Sequence, residues 1–182
     1  MEKTSGRGAE IGLGELAVKT AIVHMVTYFL MGILAFNLLG YTDRFQLPYM
    51  ACWMRPTDSP VVTAGVLFQP IRGLIFALAF YPLREILFGR KNGWLIMAGL
   101  LVGLGIFSTF GPTPGSVEGL VYTVIPVTDQ LLGWLEVVPQ ALLLSFILFQ
   151  WVRHPQVRWL NWLLGIFSLL VVAMAVLGLV FG

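Results

Sequence analysis

The sequence is short of charge, cysteine and histidine, and each shortage removes a class of function. Of its 182 residues only 11% are Asp, Glu, Lys or Arg while 58% are hydrophobic, whereas soluble domains carry roughly 25% charged residues. A water-soluble globular fold is excluded on that ground. The single cysteine, Cys52, rules out an intramolecular disulfide and leaves no CxxC pair for thiol redox chemistry or zinc. With only His24 and His154 there is no HExxH metal site, and the GxSxG and Walker signatures are missing as well. Ser116 stands in GSVEG, the wrong spacing for a nucleophile elbow. The GxGxxA string from Gly12 to Ala17 leads into an apolar run instead of linking a strand to a helix, so it carries no dinucleotide signal. A net charge of +2 spread along the chain makes no patch for nucleic acid.

What fills the chain is apolar runs of about twenty residues, the length needed to cross a hydrocarbon core of roughly 30 Å as helix. No ten-residue stretch alternates apolar and polar side chains as a membrane barrel requires. The expectation is therefore an all-α membrane protein. It is a bundle of about five transmembrane helices near residues 18–40, 61–83, 93–111, 131–152 and 159–182, forming a single domain over residues 18–182. Residues 1–17 precede it as a cytoplasmic or interfacial segment, irregular over the first ten and a membrane-surface lead-in from Ile11 to Ala17. The first run exceeds a signal-peptide core of about 7–15 residues, and no A-x-A-like site follows it, so it is expected to be retained.

Orientation follows from Lys and Arg. Lys3, Arg7, Lys19, Arg84, Arg90, Lys91, Arg153 and Arg158 fall on one side of the expected topology, against Arg44 and Arg55 on the other. The positive-inside rule then places the N-terminus in the cytoplasm and the C-terminus outside, in a cell membrane. In the loop 41–60 the aromatics Tyr41, Phe45, Tyr49 and Trp53 recur every fourth residue, a stripe suited to the membrane surface, although Pro48 restricts helix there. Gly99 and Gly103 in the third run have the spacing of close helix contact. The connection 112–130 lacks Lys and Arg and turns apolar after Gly119, consistent with a dip into the membrane or an interfacial cap.

Polar groups inside the runs are few and informative. Arg72 lies about 18 Å along the second run, where an unpaired charge costs at least ~2.5 kcal/mol. Gln69 shares its helix face, and Pro70 beside them frees a backbone carbonyl. Glu136 is the only acid inside a run, with Gln140 one turn deeper on its face. Gln69, Arg72, Glu136 and Gln140, with the loop acid Glu118, therefore make the candidate ligand-binding set: Glu136 or Glu118 countering Arg72 across an outward-facing polar pocket. A guanidinium there suits a small anion or lipid headgroup. His24, with Tyr28 one turn on, reads as a hydrogen-bonded helix histidine and not as a metal or haem ligand. No cofactor, metal or catalytic group is expected. The competing readings are an accessory subunit contacting a membrane-protein partner or further copies of itself, and a membrane-embedded enzyme acting on lipid through Glu118 or Glu136.

Overall fold

A computed structural model describes residues 10–181. The expected irregular N-terminal decade lies, apart from Glu10, outside the described residues, as do Lys3 and Arg7. The described chain is all-helical, without strands. Its elements are α1 (Leu13–Leu38), α2 (Tyr41–Arg44), α3 (Pro48–Ala51), α4 (Pro60–Gly89), α5 (Gly93–Phe107), α6 (Val117–Tyr122), α7 (Val127–Arg153) and α8 (Arg158–Phe181). Four of them, α1, α4, α7 and α8, are long and apolar enough to cross a membrane, and α5 is a shorter apolar helix.

The punctuation of these helices is local chemistry. α1 stops where Gly40 takes a left-handed φ of 62°, with the Leu39 N–H still bonded to Ala35 O at 2.8 Å. α4 is one rod in pieces. Pro70 and Pro82 each lack an N–H, and 3-10 turns lie at Ala64–Phe68 and Tyr81–Leu83 beside them. Before Pro70 the Gln69 N–H shifts to Val66 O, and the Gln69 side-chain amide donates to Gly65 O at 3.1 Å. The carbonyl exposed near the proline is thus taken up by the glutamine beside it. α5 ends four residues before the expected limit, because its last turn, Gly103–Phe107, relaxes into π geometry. α1 begins at Leu13, within the expected surface lead-in, and of that stretch Ile11 and Leu16 are buried while residues 12–15 are exposed.

α1 is the hub, packing on α4, α7 and α8, while α5 packs on α7 and meets α4 at its Arg84–Gly89 end. The main core gathers Leu16 and Val23 of α1, Phe80, Leu87 and Phe88 of α4, Met97 of α5, and Leu144 and Leu148 of α7. α1 and α4 come closest at Gly73, where an added Cβ would sit 2.5 Å from the Ala21 Cα. That crossing has room only for hydrogen.

Both ends of the bundle are tied by side chains. At one end buried Lys19 pairs with Glu15 at 2.6 Å and donates to the Trp151 carbonyl at 3.3 Å, capping the C-terminal turn of α7. Nearby the Trp151 indole donates to Asn161, and Arg153 donates to Arg90 O at 3.3 Å. At the other end residues 113–125 fold onto α7. Ser116 caps α6 by accepting from the Gly119 N–H at 2.9 Å. Gln130, 1% exposed, accepts from the Gly115 N–H at 3.1 Å and donates to Ile125 O at 2.8 Å and to Gly119 O at 3.2 Å. Trp134 donates to Gly115 O at 2.9 Å. The connection is therefore a clasped cap at the head of α7.

Candidate functional site

A cavity of about 950 Å³ opens at the end of the bundle opposite Lys19 and Arg90. Its floor is Tyr28 of α1, Gly65 and Val66 of α4, and Glu136 and Val137 of α7. Its walls are apolar, from Ile33 and Phe36 of α1, Val62 of α4, Leu132 of α7 and Met174 of α8. Segment 40–59, which carries α2 and α3, forms the roof and brings Phe45, Met50, Trp53 and Met54 down to it together with Arg44 and Arg55.

The roof is fixed by polar side chains. Asp129, in the first turn of α7, accepts from the Arg44 guanidinium and from the Tyr49 hydroxyl. Glu136, two turns further along, accepts from the Tyr41 hydroxyl. Burial, followed by the bond to Glu136, raises the Tyr41 phenol above its ordinary value. The bond to Asp129 raises that of Tyr49. Both phenols therefore remain protonated donors through the neutral range. Arg55 also faces the cavity and has no ion pair among the described residues. The result is a large, mainly apolar chamber whose roof carries the Arg55 guanidinium.

The candidate residues read from the sequence are distributed around this chamber. Glu136 lines it, but its partner is Tyr41 and not Arg72. Gln69 lies one turn beyond the floor residue Gly65, and its Oε1 accepts from His24 Nε2 at 3.0 Å. His24 is 2% exposed and hydrogen-bonded, as the sequence reading held. Gln140 lies one turn beyond Glu136 and is half-buried. Arg72 is exposed on α4, stacked over Phe76 at 5.6 Å and without an ion pair among the described residues. Tyr28, on the floor, lies in the field of both Arg72 and Glu136. The structure thus joins His24 and Gln69 beneath the floor, and leaves Arg72 and Gln140 without a hydrogen bond to either. Glu118 is exposed on α6 and does not line the cavity.

The comparisons with known proteins add nothing to this geometry. No family model, curated protein or solved structure matches the chain.

Sequence reasoning did not single out Arg44, Asp129, Tyr41 and Tyr49 as site residues. The signal was present in the fourfold aromatic spacing of the loop. It was assigned to the membrane surface, whereas Tyr41 and Tyr49 bond inward to α7 and Phe45 and Trp53 face the cavity. Pro48 starts a new turn after Leu47, and that break lets successive aromatics turn inward. Among the described residues no cluster of His, Cys, Asp or Glu is arranged to hold a metal ion.

Proposed function

We propose that the chain is a multi-pass protein of a cell membrane that crosses five times with its N-terminus in the cytoplasm, and that it binds an amphiphile with an anionic head in its outward-facing cavity. The carrying observation is the cavity itself. At about 950 Å³ it lies at the upper end of the ~300–1,000 Å³ of small-molecule sites, far beyond the ~30 Å³ share of one water. A chamber built for a small ion alone would be smaller and polar throughout. The apolar walls suit an acyl or similar chain, and Arg55 offers paired donors to a carboxylate or phosphate. Glu136 and the Tyr28 hydroxyl give the floor polar groups able to meet a hydroxyl or amide. The segregation of Lys19, Arg90 and Arg153 from Arg44 and Arg55 at opposite ends supports the orientation.

Titrating the purified protein in neutral detergent with a pyrene-labelled fatty acid tests the reading. Saturable binding is expected, weakened tenfold or more by Arg55→Ala, as loss of one charged hydrogen bond worth ~1.5–3 kcal/mol implies. Absence of saturable binding in the wild-type protein overturns it.

A second reading, an accessory subunit, rests on a different observation. Arg72 is exposed at mid-helix among apolar neighbours such as Ile71 and Ile75, and Gly99 faces open space. A carboxylate on a partner's membrane helix would remove the cost of that unpaired charge. This reading expects a partner in fixed stoichiometry, lost from the purified protein on Arg72→Leu. Unchanged composition counts against it.

A further inference from the structure

We propose that segment 40–59 is a hinged lid over the cavity, latched to α7 through Asp129 and Glu136, and that release of the latch admits the amphiphile. The inference rests on the binding reading above and adds the control of that same site. The segment contributes Tyr41, Phe45, Met50, Trp53 and Met54 to the lining, so a molecule entering from this end passes against it.

Three features make it a lid and not a fixed wall. None of its residues is buried, so no core packing anchors it. Its side-chain bonds to the rest of the described chain run to two carboxylates on a single helix, Asp129 and Glu136. One end has the backbone freedom to pivot, since Gly40 holds a left-handed φ of 62° there, while the turn 56–60, framed by Pro56 and Pro60, fixes where the segment rejoins α4. Segments with few buried apolar contacts and exposed hydrogen bonds open at low cost. The latch is also chemically apt. Arg44, held by Asp129 at the cavity wall, is a second guanidinium that an entering anionic head can compete for once it lies beside Arg55.

The other groups facing the latch set its limits. Tyr28 of α1 shares the field of Glu136 with Arg72 of α4. α8 presents Met174 and Ala175, and the 112–126 connection presents Pro114, none of which titrates. Opening therefore turns on the three lid donors, Tyr41, Arg44 and Tyr49.

The sole cysteine, Cys52, is exposed on the lid and gives the experiment its handle. A nitroxide at Cys52 and a second at Gln156→Cys, in the exposed turn between α7 and α8 at the far end, report the lid's position by electron-spin distance measurement. The latched protein is expected to show one narrow distance. Asp129→Ala, and separately the lid-side pair Arg44→Gln with Tyr49→Phe, are expected to add a longer population and to speed association of the pyrene-labelled fatty acid about tenfold or more. The lid-side pair changes no residue of the core, so it keeps the test open if Asp129→Ala fails to fold. An unchanged narrow distance in both variants overturns the lid. A widened distance with an unchanged association rate overturns its role as a gate. Failure of equilibrium binding in all the proteins alike overturns the cavity reading instead, whatever the distances show.

Discussion

Replacing Gly133 by Phe is expected to abolish saturable binding of the amphiphile probe while leaving the bundle folded. Gly133 sits on the cavity wall in α7, and a Cβ built there meets nothing within 4 Å. Its backbone is ordinary helix, so a side chain adds no strain, and removing a mid-helix glycine gains up to ~1 kcal/mol. A phenyl ring at this position projects into the chamber and takes the volume that an acyl chain would occupy. Loss of more than tenfold in affinity is expected, with helix content and melting temperature held or raised. Gly32, on the facing wall in α1, has the same open surroundings and serves as a second filling site. Gly165 on α8 is the control, since its Cβ also meets nothing but it lies away from the cavity. If Gly133→Phe and Gly32→Phe bind the probe as the wild type does, the chamber is not the binding site.

The second large effect concerns stability. Gln130→Leu leaves the Gly115 N–H and the Ile125 carbonyl without their side-chain partner in a buried position, while the Gly119 carbonyl keeps its bonds from Thr123. Each orphaned group costs about 1–3 kcal/mol, so a loss of about 2 kcal/mol or more is expected, well above a typical surface substitution. The clasp has no slack to absorb the change. Gly115 takes a φ of 86°, and a Cβ on it would meet the Trp134 indole at 2.7 Å, so this turn is shaped around α7. Hydrogen exchange at the amides of Gly115 and Gly119, with thermal unfolding in detergent, reads the outcome. Unchanged protection at both amides in the leucine variant would mean that the loop is held by something other than Gln130.

The bulk of the architecture was legible because hydrophobic runs of span length have few alternatives. The runs around residues 18–40, 61–83, 131–152 and 159–182 correspond to α1, α4, α7 and α8. Their ends were less legible, for reasons visible in single residues. α4 continues past Leu83 to Gly89 because Pro82 is absorbed in one 3-10 turn instead of ending the helix. α5 stops at Phe107 because Gly103 and Gly105 permit a π turn that no pattern of hydropathy announces. At the site, depth along a helix singled out Glu136, which lines the cavity, and Gln69, Arg72 and Gln140, which do not. It did not supply partners. A charge at mid-span invites a search for the opposite charge at equal depth, yet Glu136 is met by a phenol descending from a loop 95 residues away. Periodicity describes which way a helix faces, and says nothing of where an irregular segment returns.

The same separation sets an order of assembly. Tyr41, Arg44 and Tyr49 are synthesised 80 to 95 residues ahead of the carboxylates that hold them. When the first two long helices have entered the bilayer, the roof segment between them still has no counterpart to grip. Only after the first turns of α7 emerge can it settle, and those same turns carry Gln130, which draws in the 113–125 connection. Contacts of such long range are costly in chain entropy and form late. Until synthesis passes residue 136 the roof segment therefore has nothing to hold it, and the chamber is complete only when α8 brings Met174 and Ala175 to its wall.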